Sequence, residues 1–447
     1  MSTELERIAF RAQAEPKVRF TALAHHLTVG FLRTTWQGLN KRGAAGADGV
    51  SMSEYAEHLD ENLARLVERL KAHNYQAPPV RRTYIPKPGN PEKRRPLGVP
   101  TVEDRLLQAA VSRLLTPIYE ATFRECSYGF RPGRTAHQAI GAVRETVIKG
   151  EAHWVAEADI EGFFNHLDHA WLMRMLEVRI GDPWILRLIR KWLTAGILEE
   201  GHETTPTEGT PQGGPLSPLL ANVYLHYALD LWFVLTIRPR FRGRARLIRF
   251  ADDFIALFEL EADARDFAQM LPERLAKFGL SLAEEKTTLT PFGRAHWKRE
   301  KSHPHHFDFL GFRHHLGTTR HGQMTVVRQP RPKSVTKFLA GIKEWLWEHL
   351  HDRPSEQQKV LTQKLRGFYQ YFSLWHTLHK LNVVCREVRR LWLWALRRRS
   401  QRGRLTWEAW ERKSWFALPQ PRLLHRTVQG KNAETGEPGA GKPHAGF

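Results

Sequence analysis

Apolar residues recur every three or four positions through 20–39 and again through 59–70, a spacing that predicts helices over the first 75 residues. The same period returns over 101–122, where Thr101 or Asp104 stands as a cap, and over 135–148, 168–195 and 262–278. Between these lie short apolar runs bounded by turn formers, which predict strands. In Ile248-Arg-Phe-Ala-Asp-Asp-Phe-Ile-Ala-Leu-Phe258 two such runs meet at Asp252 and Asp253 and predict a β-hairpin with the acids at its tip. In Trp154-Val-Ala-Glu-Ala-Asp-Ile-Glu-Gly-Phe-Phe164, Asp159 follows a strand-like run and precedes a turn. A polar hairpin is expected over 199–208, and 307–312 reads as a hydrophobic strand or turn against the base of the Asp-Asp hairpin. Helical spacing dominates again beyond 328, and the Gly-, Lys- and Pro-rich residues 428–447 read as a disordered tail.

The punctuation between elements adds chemistry. Gly43-Ala-Ala-Gly-Ala-Asp-Gly49 is a flexible connector or a loop that lets backbone approach phosphates. Prolines hold 81–89 and 93–100 in extended or turn geometry, so Lys87, Arg94 and Arg95 project from a hairpin, as a triphosphate site or as a solvated basic edge. Ser127-Tyr-Gly-Phe-Arg-Pro-Gly-Arg134 offers rings for stacking and Arg131 and Arg134 for phosphates, or else a packed loop. In 209–224 a glycine- and proline-rich loop containing Gln212 and Gly213 feeds a helix that begins after Pro215, an arrangement that favours anions.

Charge narrows the partner. The 447 residues carry 68 Lys and Arg against 47 Asp and Glu, a formal net charge of +21. Such an excess points to a polyanion, nucleic acid before an anionic membrane. Residues 328–426 hold 22 basic against 7 acidic residues and eight of the fifteen tryptophans, a mixture suited to nucleic acid. No run reaches the roughly 20 apolar residues of a spanning helix and no signal-peptide profile opens the chain, so a cytoplasmic protein without a membrane partner is expected. Two distant cysteines, Cys126 and Cys385, predict neither disulfides nor zinc, and His303, His305 and His306 read as a solvated loop.

Three acids on neighbouring strand ends make a two-metal site, in which Asp159, Asp252 and Asp253 hold two Mg²⁺ ions for nucleotidyl transfer. The order of blocks strengthens this: the Gly43 loop, Ile85-Pro-Lys87, Tyr128-Gly-Phe-Arg-Pro132, Ala158-Asp-Ile160, Pro211-Gln-Gly213, Phe250-Ala-Asp-Asp253, Lys286-Thr287 and Phe309-Leu-Gly311 resemble the successive blocks of reverse transcriptases encoded by group II introns. Leu365-Arg-Gly-Phe-Tyr-Gln-Tyr-Phe372, Leu396-Arg-Arg-Arg-Ser-Gln401 and Leu418-Pro-Gln-Pro-Arg-Leu-Leu-His425 resemble that family's thumb and maturase region.

The resemblance implies an α+β right-hand polymerase, fingers and palm with antiparallel sheet followed by an α-helical thumb. The expected divisions are an N-terminal extension over 1–80, fingers and palm over 81–327, a thumb/maturase domain over 328–427 and the tail. It implies dNTP substrates held by Lys87, Arg95, Gln212 and Gly213, Phe164 as a gate against the ribose 2′-hydroxyl, and Lys286 at the leaving pyrophosphate. Arg131, Arg134, Arg366, Arg397, Arg398 and Arg399 fall where nucleic acid is contacted. The implied partners are group II intron RNA, an RNA template with a DNA primer, and target DNA, in the bacterial cytoplasm or nucleoid, with a homodimer left open. Phe250 replaces the family's usual Tyr, Gln370 its commoner Asn, and Arg426 its frequent Pro, departures that bear on fidelity and on splicing. No Cys- and His-bearing nuclease module is read after 427. The alternatives are a host-adopted reverse transcriptase in defence or DNA repair, and a splicing-only maturase with an inert polymerase site. An RNA-dependent RNA polymerase is disfavoured by Phe164.

Overall fold

The structure, a computed structural model, describes residues 3–87, 90–199, 202–204, 208–210, 213–283, 287–299, 305–399, 406–412 and 417–425. The tail expected at 428–447 and the residues Gln212 and Lys286 lie outside them. The chain forms two compact units, one of residues 1–87 and 92–291 and one of residues 88–91 and 292–447.

In the first unit the expected helical pattern is realised as Thr3–Ala14, Val29–Gly38, Met52–Glu57 and Leu59–Lys71. Residues 20–28, inside the first predicted helical run, hold only a single 3-10 turn, because Asp182 recruits them elsewhere. One Asp182 oxygen accepts from Leu23 N at 2.6 Å and Ala24 N at 2.8 Å, while the other caps the helix Pro183–Leu193 through Trp184 N at 2.9 Å. The helix Val102–Glu120 begins on Thr101, whose hydroxyl accepts from Asp104 N at 3.2 Å, and buries Leu106, Leu107, Val111, Leu114 and Leu115. A capping box of Thr135 and Gln138 opens Ala136–Ile148. The 168–195 pattern splits into His169–Glu177 and Pro183–Leu193, each started by an Asp cap.

Among the described residues, two sheets complete this unit. Strands β1 (Val80–Lys87), β2 (Asn90–Val99), β4 (Ile197–Glu199) and β5 (His202–Thr204) form one, in the order β2-β1-β4-β5, with β1 parallel to β4. Strands β3 (Trp154–Ala158), β6 (Ala245–Phe250), β7 (Asp253–Phe258) and β8 (Thr288–Pro291) form an antiparallel sheet in the order β6-β7-β3-β8. All of Phe254–Phe258 is buried, so β7 is covered on both faces. Helix Glu261–Ala276 packs on β3 and β7, and Ala136–Ile148 packs on β6.

A long helix, Ser217–Arg240, runs through the same core with two π-helical stretches, His226–Asp230 and Phe233–Ile237. Its 24 residues are long and apolar enough to cross a membrane by length and composition, which the search for unbroken apolar runs had not predicted. Two-thirds (67%) of its apolar window is buried inside the protein, as in a core helix.

In the second unit β9 (His306–Phe309), β10 (Phe312–Thr318) and β11 (Met324–Pro330) form an antiparallel sheet. The Phe309-Leu-Gly311 block is thus the turn of a hairpin of its own, with Leu310 and Gly311 both at positive φ. Helices Pro332–Glu348, Pro354–Phe372, Leu378–Arg398 and Trp407–Glu411 follow. Trp392 is buried, donates to Gln357 Oε1 at 2.9 Å and packs edge-on against Trp410.

Candidate active site

Strand register directs Asp159 toward the Asp252–Asp253 turn. β3 and β7 pair with Ala158 opposite Phe254, and extending that antiparallel ladder by one residue sets Asp159 opposite Asp253. Directly opposed residues in such a ladder stand about 5 Å apart at Cα. In the β6–β7 hairpin Phe250 pairs with Asp253, leaving Ala251 and Asp252 as a two-residue loop. Ala251 has φ +57°, the left-handed conformation that hairpin loops of this length need at their first residue. In a residue other than glycine it costs about 1 kcal/mol or more and persists only where the surroundings enforce it. Asp159 and Asp252 are half-buried and Asp253 is exposed.

The surroundings are tightly specified. Tyr128 N donates to the Arg249 carbonyl and Arg249 N to the Cys126 carbonyl, both at 2.8 Å, so residues 126–128 run beside β6. A Cβ on Gly129 would lie 2.3 Å from Ala251 N, so only glycine lets these two segments touch. Arg249 itself is fully buried and ion-paired with Asp230 at 2.6 Å. Burial lowers its pKa, but the Asp230 charge and hydrogen bonds outweigh that and hold it raised. Sequence reasoning passed over Arg249, Asp230 and Asn222. The signal for Arg249 was a charge set between Ile248 and Phe250 in an otherwise apolar stretch, where burial requires a partner.

Around this turn the other expected residues fall as follows. Phe164 lies in the 3-10 turn Phe163–Asn165, half-buried, with its ring 5.3 Å from that of Phe163 and its carbonyl accepting from Thr210 N at 2.9 Å. Gly213 (φ +132°) precedes the Ser217 helix, and a Cβ there would stand 2.5 Å from the Gly98 carbonyl of β2. Lys87 and Arg95 lie in β1 and β2, with side chains outside the described set.

The arginines divide. Arg131 is buried, grips Glu120 through Nε at 3.0 Å and Nη2 at 2.9 Å, and gives Nη1 to the carbonyls of Arg124 and Ser127. Its guanidinium is committed to holding the 124–131 loop. Arg134 lies 5.2 Å over the Tyr128 ring and donates to the Glu125 carbonyl. In the second unit Arg366, Arg397 and Arg398 are exposed; Arg398 lies over the Trp394 ring at 4.6 Å, and Arg399 donates to the His351 carbonyl at 2.9 Å.

Hard carboxylate oxygens are the donors Mg²⁺ takes, and Asp159, Asp252 and Asp253 carry such oxygens at or one residue beyond the ends of β3 and β7. Among the described residues, no group of three or more His, Cys, Asp or Glu side chains is gathered closely enough to hold an ion. The donor set suits the ion in kind, without these side chains being gathered around one point.

Residues 85–314 match the family described as "Reverse transcriptase (RNA-dependent DNA polymerase)". The chain is 39% identical over 238 residues to the group II intron-encoded protein LtrA of Lactococcus lactis subsp. cremoris, covering 53% of this chain and 39% of that protein. It is 31% identical over 388 residues to the protein YkfC of Escherichia coli (strain K12), covering 77% of this chain and 97% of YkfC. Over a shorter stretch of 94 residues it is 32% identical to the mitochondrial nuclear intron maturase 1 of Arabidopsis thaliana, covering 21% of this chain and 13% of that protein. The chain thus spans about two-fifths of the length of LtrA and nearly all of YkfC.

Proposed function

Because the chain belongs to the reverse transcriptases of the kind encoded by group II introns, we propose that it is an RNA-directed DNA polymerase that binds a group II intron RNA, assists its splicing and copies it into DNA during intron mobility. The observation that supports the polymerase reading is the β3–β7 register ending at Ala158 and Phe254, which directs Asp159 toward the Asp252–Asp253 turn. In this reading the β6-β7-β3-β8 sheet is the palm, the β1–β2 segment belongs to the fingers and the C-terminal helices form the thumb and maturase region.

Asp159, Asp252 and Asp253 would hold two Mg²⁺ ions. When bound, these supply a lowered pKa for the primer 3′-hydroxyl and charge stabilisation for the departing pyrophosphate. The protein's own part is position and charge. Phe164, fixed by its neighbours five residues after Asp159, sets a ring against the sugar, and a 2′-hydroxyl clashes with it. Lys87 and Arg95 hold the triphosphate, Gln212 and Gly213 floor the nucleotide site, and Lys286 neutralises the leaving group. Arg134, Arg366, Arg397 and Arg398 serve nucleic acid, Arg398 beside exposed Trp347.

The test is primer extension on an RNA template with dNTPs or NTPs, in Mg²⁺ or in chelator. The expected result is extension with dNTPs and Mg²⁺ alone. Asp252→Ala is expected to abolish extension and leave RNA binding within about twofold, since exposed thumb cations carry the affinity; joint loss of both would contradict this division of labour.

A further inference from the structure

The turn that carries Asp252 and Asp253 is held by a buried group to which nucleotidyl transfer assigns no role. A guanidinium has five N–H donors, and each of those on Arg249 is used. Nε donates to Asp230 Oδ1 at 2.8 Å and Nη2 to Asp230 Oδ2 at 2.6 Å; Nη2 also reaches Ser127 Oγ at 2.9 Å. Nη1 donates to Asn222 Oδ1 at 2.9 Å and to the Ala251 carbonyl at 2.9 Å. Ala251 immediately precedes Asp252 and is the left-handed residue of the loop. Asn222 in turn donates through Nδ2 to the Gly129 carbonyl at 2.8 Å, and Gly129 is the residue pressed against Ala251 N. The strained residue is thus held at its carbonyl by Arg249, and the Gly129 backbone packs closely against its amide.

Two of the four residues that accept from Arg249, Asn222 and Asp230, come from the long helix. At about 100° per residue, Asn222 and Asp230 would face about 80° apart on a regular α-helix. The π-helical stretch His226–Asp230 lies between them, and its wider turn takes up that rotation. A buried ion pair is weak as a source of stability, because desolvation offsets its attraction. Its geometric specificity is what this network supplies.

We propose that Arg249, held by Asp230 and Asn222, is a positioning residue that fixes the Ala251 loop so that Asp252 and Asp253 meet Asp159. The proposal rests on the reading that these carboxylates hold the metal ions. The test uses the full chain and three readouts: melting temperature, Mn²⁺ affinity by electron paramagnetic resonance, and kcat and KM for primer extension. In R249M/D230L apolar side chains replace both partners. In Gly129→Ala the ion pair stays and the contact at Ala251 N is displaced. Each variant is expected to lose about 100-fold in kcat with KM changed little, and about tenfold in Mn²⁺ affinity, with R249M/D230L melting near the wild type. Should R249M/D230L not fold, Gly129→Ala decides on the same two readouts. A folded variant with wild-type kcat and Mn²⁺ affinity overturns the proposal. A wild-type chain that binds Mn²⁺ through Asp252 yet extends no primer sinks the polymerase reading, and the Mn²⁺ measurement still judges the positioning. Absence of any Asp252-dependent Mn²⁺ site overturns both.

Discussion

Single buried charges set the pH range in which this fold holds. Asp104 is buried, and desolvation pushes its pKa up to about 7 against the help of the Tyr75 hydroxyl that donates to it. The folded state therefore keeps a proton that the unfolded chain releases near pH 4, so stability falls as pH rises from about 4 through 7, by on the order of 4 kcal/mol. His226 and His314 act in the opposite sense. Burial lowers them to about 4 and about 3, so the fold keeps them neutral while the unfolded chain takes up protons below about 6.5. Two histidines outweigh one carboxyl below about 6.5, so on these three groups stability is expected to peak at about pH 7. Urea unfolding at pH 5.5 and 8 checks this: Asp104→Asn, still able to accept from Tyr75, is expected to gain more stability at the higher pH than the wild type does, by on the order of 2 kcal/mol. Phe164 supports a chemical prediction at the same scale. Phe164→Ala removes the ring and should raise ribonucleotide incorporation by about tenfold or more, since a steric clash is worth at least about 1.4 kcal/mol. An unchanged preference for dNTPs would put the gate on another side chain.

At the scale of elements, local pattern was readable and remote pairing was not. The Asp-Asp hairpin followed from apolar runs meeting at a polar pair, and β6 and β7 meet there as expected. That β3 lies beside β7, across some ninety residues, is a long-range pairing that periodicity does not encode; only the recurrence of an acid after a strand-like run hinted at it. Arg131 illustrates the converse. Its loop reads as a phosphate clamp, but Glu120, eleven residues earlier on a helix, takes the guanidinium, and nothing in the intervening spacing announces that. Asp182 sits inside the 168–195 run that periodicity reads as helical, and nothing there announces its cap on Pro183–Leu193 or its tie to 23–24. Because Asp182→Ala would strip acceptors from four backbone amides at once, two of them outside its own helix, it is expected to cost about 3 kcal/mol, above the usual value for a cap. Thermal unfolding of the variant measures this, and a loss below about 1 kcal/mol would mean that water replaces the carboxylate.

Across the whole molecule charge is distributed unevenly, and this governs how the proposed RNA partner is held. Residues 328–426 carry a net +15 of the chain's +21, set among eight tryptophans. Trp347 is 56% exposed and stacks beside Trp394, and Arg398 lies over both rings, so cation and aromatic face are presented together. Binding through such a surface releases counterions, and affinity for RNA should fall steeply with salt, by a factor of about 10³ or more between 50 and 200 mM if six or more phosphates are met. Replacing Arg397 and Arg398 by alanine should then flatten the plot of log K against log salt by about 1.4, the share of two phosphate contacts on a single strand. Arg131→Ala, by contrast, removes a buried clamp and should lower stability with the salt slope unchanged. Filter binding of the three proteins over a salt series separates these outcomes. A slope that changes with Arg131 but not with Arg397 and Arg398 would move the nucleic-acid face from the C-terminal helices to the 124–134 loop.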